Sequence, residues 1–305
     1  MERYGKSLPE GDVAESWEVS ARADGGSRIA NGCWAGKDLG DVIERFTDSV
    51  LGKTVVAKTG SVFPLLFKLI DANDKLSVQV HPGDAYAQAI ENEPNGKREA
   101  WYILEAAPNA EIVYGLQPGT NSERLRQMIE KNRIGDCLNT VCVKPGDVID
   151  IAPGTIHAIG KGIVLAEIQQ NSDLTYRLYD YDRKDRHGQP RGLHIEKALD
   201  VIDYAPPVPF AKGTLAFESE SATITGLLSN DCFQLDLLDI HGTLAMNAGG
   251  DRFYILFVAQ GEAGISYESG VVCAKMGESI LIPADLGRYA VTGECRLLSM
   301  YVPLK

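Results

Sequence analysis

The chain has 305 residues and a formal net charge of -12. That acidity argues against nucleic acid as the main partner, because phosphate contacts need basic surface. A chain of this length suggests about two domains and buries about three quarters of its unfolded surface, so it needs no staples to fold.

The six cysteines, Cys33, Cys137, Cys142, Cys232, Cys273 and Cys295, form no CxxC pair and suggest no disulfide framework. They read as inert thiols in a reducing compartment. The N-terminus leads into charged sequence without the apolar region of a signal peptide. No apolar run approaches membrane-spanning length. A cytoplasmic protein with no membrane partner is expected. A phosphorylated ligand would still need a local basic pocket inside the acidic envelope. The oligomeric state stays open.

In chain order, the pattern predicts a helix over 38–51. Leu39, Val42, Ile43, Phe46 and Val50 fall on one face, and Gly52 stands as its stop. Short apolar runs follow at 61–70, 76–80, 100–104 and 110–115. Thr120-Asn121-Ser122-Glu123 carries a capping-box pattern that opens a short helical insertion over about 120–133. Further strand-like runs lie at 147–151 and 163–169, with a helix at 195–204. Ala205-Pro206-Pro207-Val208-Pro209 blocks helix and central strand alike, and marks a domain boundary. Strand-like runs resume at 233–239, 252–259, 262–267, 279–283 and 297–302. Many short strands between turn residues indicate a sandwich or barrel.

The segment from Gly146 to His157 matches the segment from Gly277 to Arg288 in spacing. Each reads as a glycine turn, an apolar strand, a second turn and a polar residue aimed inward. The repeat suggests two barrels of one type. His157 in the first copy is Arg288 in the second, so only the first copy can offer a metal ligand there.

Gln79-Val80-His81-Pro82 ends an apparent strand, and strand neighbours two apart share a face. Gln79 and His81 can therefore reach one centre. Glu99 follows in Lys97-Arg98-Glu99-Ala100-Trp101-Tyr102, and His157 closes the first repeat. A single histidine is more often a hydrogen-bonded core or surface residue, and a single glutamate is usually solvated. The order Gln-x-His, Glu, then glycine turn, strand and His is the cupin metal layout. Such a mixed nitrogen–oxygen site suits zinc, iron(II) or manganese. His187, His194 and His241 lack this context and read as ordinary structural residues. Gly154-Thr-Ile-His-Ala-Ile-Gly-Lys161 superficially suggests a nucleotide loop. The glycines are one residue too far apart and Gly162 stands where Ser or Thr is required, so nucleotide dependence is not expected.

The run from Phe67 to Pro82, ending Ser77-Val-Gln-Val-His-Pro82, resembles the signature of class I mannose-6-phosphate isomerases. Lys97-Arg-Glu-Ala-Trp-Tyr102, Gly154-Thr-Ile-His-Ala-Ile-Gly160 and the block from Gln169 through Arg177 to Tyr181 are similar to their later blocks. Glu15-Ser16-Trp17-Glu18-Val19-Ser20 also fits. Long members carry a large helical domain, for which only about 120–133 is free here, so the chain resembles the short bacterial form. Ala152-Pro153-Gly154 departs from the cupin Pro-x-Gly pattern by one position.

The resemblance implies a mainly β fold of two cupin-type jelly-roll barrels with a few helices. The catalytic barrel would span residues 1–205, and a degenerate barrel without metal would span 206–305. It implies one Zn2+ per chain at Gln79, His81, Glu99 and His157, with catalytic roles for Arg177, Lys97 and Glu167. It also implies aldose–ketose isomerisation of a small sugar phosphate. A carboxylate near the metal serves as base in such chemistry, and Glu167 is the candidate. Arg177 and Lys97 can hold enediolate charge or grip the phosphate. The rival readings are an iron cupin dioxygenase, or a sugar-binding or regulatory cupin without turnover.

Overall fold

The computed structural model describes residues 1–6, 13–184 and 188–304. The first elements are β1 (Glu15–Val19), α1 (Leu39–Arg45), α2 (Thr47–Leu51), α3 (Lys53–Thr59) and β2 (Leu65–Ala72). Then come β3 (Val78–Val80), α4 (Asp84–Tyr86), β4 (Glu99–Ala106), β5 (Glu111–Leu116), α5 (Ser122–Glu130) and β6 (Leu138–Cys142). They are followed by β7 (Val148–Ile151), β8 (His157–Ile159), β9 (Ile163–Gln170), β10 (Tyr176–Tyr179) and α6 (Ile195–Val201). The C-terminal strands are β11 (Thr214–Glu218), β12 (Ala222–Ser229), β13 (Gln234–Asn247), β14 (Tyr254–Tyr267), β15 (Gly270–Lys275), β16 (Ser279–Ile282) and β17 (Arg288–Tyr301).

The chain divides into two compact units. Ile70–Phe210 forms one, and Met1–Leu69 with Ala211–Lys305 forms the other. The proline-rich stretch at 205–209 therefore lies at a unit edge. The N-terminal residues, grouped by sequence with the metal-binding blocks, belong with the C-terminal strands. Local composition carries no signal for such a discontinuous grouping.

Within Ile70–Phe210, strands β9, β4 and β7 lie side by side in one sheet. The second sheet runs β10-β3-β8-β5-β6. One core contains Trp101 and Ile103 of β4, Ile112 and Tyr114 of β5, Ile149 and Ile151 of β7, and Leu165 of β9. A second core lies on the helix-bearing side, where Val78, Val80, Ala158, Tyr176 and Leu178 pack with Leu125 of α5 and Ala198 and Leu199 of α6. Strand residues alternate between faces. With Val78, Val80, Tyr176 and Leu178 turned to the helices, Gln79 and Arg177 fall on the opposite face. In the other unit, β13, β17 and β14 run antiparallel over fourteen residues each, with β16 also paired to β14. The sheets have open edges, so the expected barrels are jelly-roll sandwiches.

Three local readings need correction. The helix predicted over 38–51 breaks into α1 and α2 at Phe46, whose φ is -131°. Thr47 Oγ1 donates to the Ile43 carbonyl, a back-bond that bends helices, and the Phe46 ring packs 5.1 Å from that of Trp34. The capping box at Thr120 does not form. Asn121 caps α5 by accepting from the Arg124 amide at 2.9 Å, as its stronger capping preference favours. The runs predicted at 252–259 and 262–267 are one strand, β14, with a register shift between Val258 and Gln260.

The internal repeat is a real structural correspondence. Gly146 donates to the Ile103 carbonyl while Ile103 donates back to Asp147; Gly277 and Val258 with Glu278 repeat the pattern. The Lys144 amide donates to the Asp147 side chain, and Lys275 to that of Glu278. Both glycines have φ near +90°, a region that favours glycine. His157 then opens β8 and Arg288 opens β17.

Gly154 holds the turn before His157. Its φ is +86°, and a Cβ there would sit 2.8 Å from the Val201 carbonyl oxygen. Its amide donates to the His81 carbonyl at 2.9 Å, joining the two histidine segments. The displaced proline therefore leaves the turn intact. Gly154→Ala should destabilise the protein by about 1–3 kcal/mol through backbone strain and this contact. Urea unfolding in the presence of a chelator measures it, and an unchanged midpoint would contradict the assignment.

Candidate metal centre

Residue alternation and register bring the ligand candidates together. Gln79 on β3 stands opposite His157 on β8 and opposite Arg177 on β10. Glu99 opens β4 and faces Gln169 on β9, with Trp101 facing Glu167 two residues along. His81 follows β3 directly. His81, Glu99 and His157 are buried, and their ligand atoms all lie within 4.8 Å of one another. Among the described residues, this is the group of acidic, histidine or cysteine side chains placed to hold a metal ion.

The imidazoles are oriented by backbone carbonyls. His81 Nδ1 lies 2.8 Å from Leu174 O, and His157 Nδ1 lies 2.9 Å from Thr155 O. A carbonyl only accepts, so each Nδ1 carries the proton and each Nε2 keeps a lone pair. His81 Nε2 lies 3.3 Å from Glu99 Oε2, and His157 Nε2 lies 3.2 Å from Glu99 Oε1. Lone pairs thus face a carboxylate with no hydrogen between them. Among the described residues, His81 Nε2 and both Glu99 oxygens have no hydrogen-bond partner of good geometry. A divalent cation is the group that satisfies this arrangement.

The electrostatics favour that charge state. Burial, then the Lys97 charge, push the His81 imidazole down to about 3, against the pull of Glu99. Burial also lowers His157 despite Glu99. Burial alone would raise Glu99, but the Lys97 ammonium beside it holds it well below the usual carboxylate range. Lys97 Nζ sits 3.1 Å from Glu99 Oε2, with both side chains buried. Its ammonium is raised because Glu99 and then Glu167 outweigh the penalty of burial.

Gln79 places its amide nitrogen 3.2 Å from His157 Nε2. Rotated about its last bond, the same amide presents its carbonyl oxygen at that place beside His157 Nε2. Glu167 is buried and accepts a hydrogen bond from Trp101 Nε1 at 2.9 Å. It is thus not an outward-facing strand residue. Arg177 is half-buried. It donates to Ser77 Oγ at 3.3 Å and to Gly192 O at 3.2 Å. Asp180 instead pairs with Arg183 and Arg191. Burial, then Arg191, lower the Arg177 guanidinium from its ordinary value.

The other described histidines stay outside this group. His194 and His241 are exposed, and His187 lies outside the described residues. Residue-type reasoning missed Trp101, which fixes Glu167 and stacks edge-on against His157 with centroids 5.4 Å apart. Its place two residues after Glu99 was the available signal. The Leu174 and Thr155 carbonyls carried none, because backbone groups have no residue-type signature.

Two jelly rolls, one with a buried His-Glu-His group placed to hold a metal ion, define a cupin-type protein. The family model for the phosphomannose isomerase type I catalytic domain matches residues 1–116, and that for the mannose-6-phosphate isomerase cupin domain matches 223–302. The chain is 38% identical to mannose-6-phosphate isomerase ManA of Bacillus subtilis, over 96% of this chain and 91% of that one. It is 35% identical to the mannose-6-phosphate isomerase of Streptococcus mutans, over 98% and 91%. The crystal structure of the Bacillus subtilis mannose 6-phosphate isomerase superposes with a TM-score of 0.90 at 34% identity, covering 98% of this chain and 93% of that one. The chain belongs to the type I mannose-6-phosphate isomerase family.

Proposed function

We propose that this chain interconverts mannose 6-phosphate and fructose 6-phosphate through an enediol, with one Zn2+ held by His81, Glu99, His157 and Gln79. The observation that carries the reading is the buried convergence of two unprotonated imidazole nitrogens on Glu99, with Lys97 beside it. Family membership supports the substrate pair. Imidazole nitrogens with carboxylate and amide oxygens suit zinc, and four protein ligands leave room for sugar oxygens on expansion. When bound, the metal supplies Lewis-acid polarisation of the sugar oxygens and stabilises enediolate charge.

The chain's own residues then do the rest. Glu167 takes the proton from C2 of the open-chain aldose. The C–H electrons form the C1–C2 double bond, and the carbonyl oxygen on C1 takes up charge and then a proton. The hydroxyl on C2 loses its proton as its carbonyl forms, and Glu167 returns a proton to C1. Trp101 holds Glu167 in place through its indole N–H. Lys97 is buried against Glu99 and meets the developing charge near the metal ligands. Arg177 shares the face of Gln79 and presents a further cation, to the enediolate or to the phosphate.

The C-terminal jelly roll binds no metal in this reading. Arg288, at the position equivalent to His157, is exposed, and a guanidinium has no lone pair suited to zinc. A dioxygenase or a sugar-binding cupin would share the ligands but has no use for Lys97, Arg177 and Glu167 together.

A coupled assay should show conversion of mannose 6-phosphate, abolished by a chelator and restored by zinc. Elemental analysis should give about one metal per chain, as three buried ligands in a single unit require. Metal-replete, folded protein inert on both sugar phosphates would refute the activity, and two metals per chain would refute the assignment of the second jelly roll. Arg177→Ala should lower kcat by about 100-fold or more while folding and metal content stay normal, since it acts on charge that develops in the transition state. Near-normal turnover would remove Arg177 from the reaction.

A further inference from the structure

The sequence block that runs from Gln169 to Tyr181 opens with two adjacent glutamines at the end of β9 to which the proposed reaction gives no role. Gln169 and Gln170 are both buried. Resting on the metal site proposed above, we infer that this pair positions the site, Gln169 through His81 and Gln170 through Lys97 and Glu99.

Gln169 stands opposite Glu99 across β4 and β9. Its amide donates to the Gln170 carbonyl at 2.9 Å and to the Ser172 carbonyl at 2.6 Å. Among the described residues its Oε1 has no hydrogen-bond partner, so the two donated bonds are the ones that fix the amide. They close the turn that follows β9. The Ser172 amide donates to the Gln170 carbonyl at 2.7 Å, and Ser172 Oγ accepts from the Leu174 amide at 3.4 Å. The Leu174 carbonyl is the group that accepts His81 Nδ1–H and leaves Nε2 bare toward Glu99. A shift of that turn would release the carbonyl that fixes the tautomer and ring angle of His81.

Gln170 works on the other side. Its backbone amide donates to the Arg98 carbonyl at 3.0 Å, and its Oε1 accepts from the Arg98 amide at 2.9 Å. Its Nε2 donates to Asp84 Oδ1 at 3.0 Å, and the same oxygen accepts from the Gly96 amide at 2.8 Å. The excursion over 83–96 leaves the fold just after His81 and returns just before Lys97. Asp84 and Gln170 close its neck, and the Lys97 amide donates to the Pro82 carbonyl at 2.9 Å inside it. A side chain on Gly96 would collide with the Pro82 carbonyl and the Gly83 backbone, so the two limbs touch. Lys97 and Glu99 are presented by the returning limb. Both glutamines therefore act at one remove, as partners that orient metal ligands commonly do.

The chemistry demands glutamine at each place. Position 169 needs two donors, which Met lacks at similar volume. Position 170 needs a donor toward Asp84 and an acceptor toward Arg98. Gln170→Glu keeps the acceptor but sets a carboxylate against Asp84; Asp84→Asn removes that repulsion and can turn an N–H toward position 170, at the cost of the bond from the Gly96 amide.

The test uses full-length protein stripped of metal, titrated with Zn2+ against a chromophoric chelator, with the metal-free melting temperature and the kcat and KM for mannose 6-phosphate as parallel measurements. Gln169→Met should weaken zinc binding about 10–100-fold while the metal-free melting temperature moves by only a few degrees. Gln170→Glu should lower kcat about 10-fold or more with KM little changed, and Asp84→Asn in the same chain should restore part of the loss. Zinc affinity and kcat within about 3-fold of the unsubstituted protein in both single variants would overturn the inference, even if both melt earlier. Should Gln169→Met fail to fold, the Gln170→Glu and Asp84→Asn pair decides alone. Absence of turnover in the unsubstituted protein would sink the proposed activity, and the zinc titrations would still decide this inference.

Discussion

The Glu99 carboxylate is buried and ionised, and the rest of the site follows from that constraint. An isolated buried carboxylate costs several kcal/mol even after relaxation, so it persists only with compensating charge. Lys97 supplies one positive charge at 3.1 Å. The two imidazoles supply none, because carbonyls hold their protons on Nδ1 and burial disfavours a second proton. One ammonium facing one carboxylate and two bare nitrogens leaves acceptors in excess. A divalent cation removes the excess and converts a costly cluster into a bound group.

The fold delivers this cluster through alternation in two sheets. Val78 and Val80 pack toward α5 and α6, which turns Gln79 inward. Trp101 and Ile103 fill the core between the sheets, and Glu99 lies on the same face of β4, two residues before Trp101. The same apolar pattern that buries the core thus aims the ligands. The second jelly roll repeats the glycine turn and strand but puts exposed Arg288 where His157 stands. One backbone plan therefore serves a polar centre in one unit and an apolar core in the other, where Leu256, Val258, Val291 and Leu297 pack together.

Much of the site was legible in the sequence because its residues are rare types at fixed spacing. Gln79 with His81 reads from strand period alone, and His157 from the turn glycine eleven residues before it in Gly146-to-His157. Strand existence was legible wherever apolar runs ended in turn residues. The rest was hidden for physical reasons. Period does not reveal a break such as Phe46, where side-chain packing and a threonine back-bond override helical pattern. The grouping of Met1–Leu69 with the C-terminal strands is a long-range fact without local trace. Carbonyls that orient imidazoles, and a glutamine that braces the turn behind one of them, act through positions that composition does not mark.

Two Nε2 atoms and Glu99 converge in the Ile70–Phe210 unit, and in the proposed function they share one metal ion. X-ray absorption at the zinc edge of the reconstituted protein tests it most directly. The expected result is a first shell of nitrogen and oxygen only, at about 2.0–2.2 Å, with the multiple-scattering signature of two imidazoles. A sulfur shell near 2.3 Å, or a shell without imidazole scattering, would contradict it.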